Sequence, residues 1–127
     1  MEVLSSRTLI APVDLGRSAR WYTEVLGLRV YREFGVSGRV TGVVLFCGGG
    51  FLELSASGGP PAGAGLWLQV PDVDAEHARL SAAGVSVASP PIDMPWGLRE
   101  CWIEGPDGER IALVEVPEDH PIRRRVE

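Results

Sequence analysis

Histidine and cysteine, the residues behind much metal and nucleophile chemistry, are scarce here, with two of each in 127 residues. Neither Cys47 nor Cys101 belongs to a C-x-x-C motif, and both have apolar neighbours. They are expected to be free, buried and inert thiols in a reducing compartment. His77 falls inside an expected helix and His120 in the C-terminal tail, so no Ser/His/Asp set can be assembled. Long apolar runs are also missing. The longest, Val43 to Cys47, is far short of the roughly 20 residues that cross a bilayer. Met1 to Arg7 lacks the basic-then-apolar layout of a secretory signal, which leads us to expect a cytoplasmic protein without a membrane partner. There is no basic excess either. A net charge of -5 argues against nucleic acid and leans towards a cationic or neutral ligand. The one basic cluster, Arg123-Arg124-Arg125, reads as a solvated tail. Gly48-Gly49-Gly50 lacks the lysine and strand-to-helix setting of a phosphate loop.

The rest of the composition, 45% hydrophobic and 23% charged, is that of one globular domain. Thr8 to Ala11 reads as a strand stopped by Pro12. Asp14 can cap a helix over Leu15 to Leu26, with Leu15, Ala19, Tyr22 and Leu26 at helical spacing, and Gly27 ends it. Strands are expected over Leu28 to Phe34, Val40 to Phe46 and, after the glycine turn, Phe51 to Ser55. The stretch 57–64 is a small-residue and proline linker. The order then recurs. Leu66 to Val70 is a strand, Asp72 or Asp74 caps a helix running to Ala83, Gly84 stops it, and strands follow at Val85 to Ala88, Cys101 to Glu104 and Ile111 to Val116. The two copies lie roughly 57 residues apart, an internal duplication. The reading is therefore α+β: two βαβββ modules in one domain over 1–127, module one at about 6–56, module two at about 65–117, and a tail over 118–127.

Four stretches carry a resemblance: Val13-Asp14-Leu15-Gly16-Arg17-Ser18-Ala19-Arg20-Trp21-Tyr22, Val70-Pro71-Asp72-Val73-Asp74-Ala75, Pro95-Trp96-Gly97-Leu98-Arg99-Glu100 and Glu104-Gly105-Pro106-Asp107-Gly108-Glu109. In this order and spacing they resemble the vicinal oxygen chelate superfamily, which holds glyoxalase I, extradiol dioxygenases, fosfomycin-resistance enzymes and bleomycin-resistance proteins. The similarity runs from about Arg7 to Val116; Gly105 stands where that superfamily more often has an aspartate. The resemblance implies modules whose strands curl into a partly open barrel around a cavity, and a homodimer with cavities lined from two modules.

Metal-dependent members resemble one another in histidine and glutamate ligands on the first and last strands of each module. Those positions fall here on Arg7, Glu53, Gly65 and Ala112, of which only Glu53 offers a donor. No metal and no cofactor are therefore expected. Period-two alternation groups Arg7 with Leu9 and Ala11, Glu53 with Phe51 and Ser55, Gly65 with Trp67 and Gln69, and Ala112 with Val114. The candidate ligand-binding set is Arg7, Phe51, Glu53, Trp67, Gln69, Trp96 and Trp102. Trp67 is the expected stacking residue and Trp96 a lid; Trp102 could face either way. Trp21 is expected in the core, and Glu100 in an ion pair with Arg99. The leading reading is a metal-free binder of an aromatic or cationic antibiotic-like molecule. The alternative is a lyase, isomerase or cyclase with Glu53 as catalytic base, where the bland role of Glu53 would be an ion pair with Arg7.

Overall fold

The computed structural model describes residues 7–56 and 65–120, with Glu2 and Leu4. The linker over 57–64 and the Arg123-Arg124-Arg125 cluster lie outside the described residues. The chain forms two compact units: 1–64 with 106–108, and 65–105 with 109–127.

The first unit contains β1 (Arg7–Ile10), α1 (Leu15–Arg20) continued by a π-helical turn (Trp21–Val25), β2 (Val30–Val36), β3 (Arg39–Cys47) and β4 (Gly50–Ser55). The second contains β5 (Gly65–Gln69), α2 (Val73–Ala82), β6 (Val87–Asp93), β7 (Arg99–Glu104) and β8 (Arg110–Glu115). Their sheets have the same order, β1-β4-β3-β2 and β5-β8-β7-β6. In each, the first and last strands pair in parallel and the remaining pairs are antiparallel. The duplication in the sequence is thus a duplication of topology, and the α+β reading holds.

Both helices begin where an aspartate can satisfy the free amides of the first turn. Asp14 accepts from the Arg17 amide at 3.0 Å, and Asp72 from the Ala75 amide at 3.0 Å. Both helical segments are followed by a glycine at positive φ, Gly27 at 89° and Gly84 at 82°, where a side chain would be strained. The first helix does not keep its pitch to Leu26. At Trp21 it widens, so that the Leu26 amide donates to the Trp21 carbonyl at 2.9 Å, five residues back. Tyr22 is fully buried, on the face that its helical spacing with Leu15 and Ala19 implies, and Trp21 is only half-buried, edge-on to it at 4.9 Å. Tyr22, not Trp21, is the aromatic core residue here.

Strand alternation sorts each sheet into two faces. In the first unit Val43 and Leu45 register with Leu54 and Leu52, and all four are buried with Ile10 and Tyr22. In the second, Cys101 and Ile103 register with Leu113 and Ile111, buried with Val73 and Leu80 of α2. Both cysteines are free, Cys101 buried and Cys47 half-buried, and burial pushes both thiols up. Among the strands, the largest boundary miss is at β6. β6 does not stop at Ala88 but runs through Pro90 and Pro91 to Asp93. It is an edge strand with register shifts on either side of Ser89, which spares its prolines from donating to a ladder.

Asp72→Ala should cost about 1 kcal/mol in urea unfolding, because it leaves the Ala75 amide without its cap, whereas Asp72→Asn should stay within a few tenths. Equal midpoints for wild type and Asp72→Ala would refute the cap.

Candidate functional site

The opposite face of each sheet carries the candidate residues, and they divide between the two units. In the first unit Arg7, Phe51 and Phe46 are aligned across β1, β4 and β3, with Leu9, Glu53 and Val44 in the next row. Arg7 donates from Nη1 to Glu53 Oε1 at 2.7 Å, so two of the residues named from sequence meet as an ion pair. Phe51 joins an aromatic cluster, with Tyr31 at 4.9 Å and Phe46 at 5.7 Å between ring centroids, and Tyr31 lies 5.1 Å from Phe46. Tyr31 and Phe46 were not singled out from the sequence. The signal for Phe46 was present: a two-residue turn at Gly48-Gly49 pairs Cys47 with Gly50, and so Phe46 with Phe51. Tyr31 sits in a register shift between Val30 and Arg32, which simple alternation cannot place.

The second unit holds three tryptophans on one face. Trp67, Ala112 and Trp102 are aligned across β5, β8 and β7, and Gln69, Val114 and Glu100 form the row beside them. Ala112 and Val114 are buried with Leu98 and Val116, and Trp102 packs against this apolar floor. Trp67, on the edge strand, remains 51% exposed. Trp96 is 55% exposed and sits in a tight turn, in which the Gly97 amide donates to the Met94 carbonyl at 3.0 Å.

Glu100 links these indoles. The residue is only 6% exposed, and its carboxylate accepts from Trp96 Nε1 at 2.7 Å and from Trp102 Nε1 at 3.3 Å. The expected Arg99–Glu100 ion pair is not formed. Adjacent strand residues point to opposite faces, and Arg99 donates to Asp74 at 2.9 and 2.8 Å and to Asp93 at 3.0 Å. The same alternation settles Trp102, which lies on the face of Trp67. His120 is tied back rather than loose: its Nε2 is 3.1 Å from the Trp96 carbonyl.

The four positions where the resemblance would put metal ligands do not form a donor set. Arg7 carries a cation that already occupies Glu53, Ala112 lies in the apolar floor, and Gly65 has no side chain. Among the described residues, one acidic trio, Asp72, Asp74 and Glu115, brings oxygens within 4.8 Å of one another at the start of α2. Each has a structural task there. Asp72 caps the helix, Asp74 binds Arg99, and Glu115 accepts from the Val73 amide at 2.9 Å.

Comparison with known proteins gives this geometry a lineage. The profile of the Glyoxalase/Bleomycin resistance protein/Dioxygenase superfamily matches residues 5–113. Among solved structures, TnmS3, an antibiotic binding protein from Streptomyces sp. CB03234, is 25% identical with a TM-score of 0.79, over 91% of this chain and 98% of that one. TioX from Micromonospora sp. ML1 is also 25% identical, with a TM-score of 0.74 over 88% and 95% of the two chains. A superfamily member from Sphaerobacter thermophilus DSM 20745 shares the fold, with a TM-score of 0.77 at 24% identity over 90% and 98%. No curated protein matches the chain significantly.

The Arg99 hydrogen bonds hold the Asp74 carboxyl below the usual carboxylate range. A lowered folded value contributes stability above the unfolded value, and that contribution is lost as pH falls through the folded one. Asp74→Asn should therefore be less stable than wild type at pH 7. The gap should narrow as pH falls through the carboxylate range, as urea midpoints would show. A gap independent of pH would contradict the pairing.

Proposed function

Since the chain belongs to the glyoxalase/bleomycin resistance protein/dioxygenase superfamily, we propose that it is a metal-free binding protein of the bleomycin-resistance type. It would sequester an antibiotic-like aromatic small molecule in the cytoplasm, as a homodimer. The observation that carries this reading is the tryptophan face of the second unit. A planar ligand can stack on the exposed ring of Trp67, over a floor of Ala112 and Val114, with Trp102 and Trp96 beside it and Gln69 as an adjacent polar contact. The description of TnmS3 as an antibiotic binding protein supports the same reading. By itself, the first unit would offer a polar and aromatic face of its own, made of Arg7, Phe51 and Glu53. The dimer is supported by β2, an edge strand exposing Val30, Tyr31 and Val36.

The enzymatic alternative, a lyase, isomerase or cyclase with Glu53 as base, has less support. Glu53 Oε1 is engaged by Arg7, which leaves only Oε2 to take a substrate proton.

A thermal-shift screen of aromatic antibiotics should find compounds that raise the melting temperature, because a ligand bound only to the native state adds stability. For such a compound, Trp67→Ala should weaken calorimetric affinity by about 1–3 kcal/mol. Mass spectrometry should recover the compound unchanged. A product formed by wild type and not by Glu53→Gln would overturn the binding reading in favour of catalysis.

Light scattering at micromolar concentration should give twice the chain mass. A monomer that binds the same compound would refute the dimer.

A further inference from the structure

Among the described residues, Glu100 is the one strongly buried carboxylate on the tryptophan face, and its surroundings are unusual. It accepts from two indole N–H groups, and among the described residues no cation pairs with it. Arg99, next in sequence, is spent on Asp74 and Asp93 from the other side of the strand. Two neutral N–H dipoles solvate a carboxylate but do not cancel its charge. The remaining field spreads over an apolar floor of Leu98, Ala112, Val114 and Val116, where screening is weak. A carboxylate accepting from an indole N–H also pushes electron density towards the ring, which strengthens the attraction of its face for cations. The protein supplies an internal instance: the Arg110 guanidinium lies 5.8 Å from the centroid of Trp102.

We propose that Glu100 makes the tryptophan face selective for a cationic aromatic ligand, one bearing a quaternary or protonated nitrogen, held against Trp96 and Trp102 while its ring system stacks on Trp67. This rests on the aromatic-binding reading above and adds the charge of the ligand to it. Glu100 acts through the indoles rather than by touching the ligand, so it is a specificity-determining residue. Arg110 is the ligand's natural competitor for the Trp102 ring.

Matched probes separate charge from stacking. N-methylacridinium is a permanent cation, and acridine held neutral at pH 8 has nearly the same shape. Tryptophan quenching titrations of wild type should show the cation binding about tenfold more tightly than acridine. Glu100→Gln, with folding checked by circular dichroism, should bring the two affinities within about twofold, chiefly by weakening the cation. Arg110→Gln, a surface change that leaves the floor intact, should tighten the cation about threefold and leave acridine unmoved. Equal binding of both probes to wild type overturns the charge selectivity while leaving the aromatic reading in place. Binding of neither at millimolar concentration overturns both. Unchanged selectivity in folded Glu100→Gln, or an unmoved cation affinity in Arg110→Gln, overturns the role assigned to Glu100.

Discussion

In the second unit β8 is hydrogen-bonded on both sides, parallel to β5 and antiparallel to β7. The register of that double pairing brings Trp67, Ala112 and Trp102 into one row; a slip of one residue on β5 or β7 would send its tryptophan to the helix-covered face, and one on β8 would remove Ala112 from between them. The register is held from the other side of the sheet. There Ile111, Leu113, Cys101 and Ile103 are buried with Val73 and Leu80 of α2, and exposing them to water would cost several kcal/mol. The aspartate-capped helix and the strand alternation are therefore not separate from the site. They decide which residues it contains.

The two units share this scaffold and fill it differently. In the central row of the first unit stand Leu9, Glu53 and Val44; the corresponding row of the second holds Trp67, Ala112 and Trp102. One face thus presents an ion pair beside a cluster of Tyr31, Phe46 and Phe51, and the other presents indoles around a buried carboxylate. Neither assembles the imidazole and carboxylate donors that a divalent cation needs. What remains suits stacking and charge recognition.

Most of the fold was legible in the sequence because its signals are local. Asp14 and Asp72 are caps and Gly27 and Gly84 are stops through their own chemistry, and the repeat of this punctuation exposed the duplication. Misreadings arose where a non-local choice decided the outcome. Trp21 is only half-buried beside the buried Tyr22, and β6 accepts Pro90 and Pro91 because it lies at an edge. Of the candidate site, Arg7, Glu53 and Phe51 meet as strand alternation implied, and Trp67 and Gln69 share a face. The partner of Glu100 could not be read, because its hydrogen bonds come from a turn and from a strand neighbour two residues away rather than from adjacent Arg99. Gly105 is similar. An added Cβ there would stand 2.7 Å from the buried Glu109 carboxylate, a close approach that the turn motif alone does not reveal.

The central claim is that the tryptophan face of the second unit is the ligand-binding surface. The chain carries four indole N–H groups, one of which, on Trp21, belongs to the first helix and serves as an internal control. In a proton–nitrogen correlation spectrum, titration with a planar tricyclic aromatic should move the Trp67, Trp96 and Trp102 indole signals with one common saturation curve, while Trp21 stays in place. Saturable movement of Trp21 alone, or binding by calorimetry with all three second-unit signals unmoved, would contradict the account.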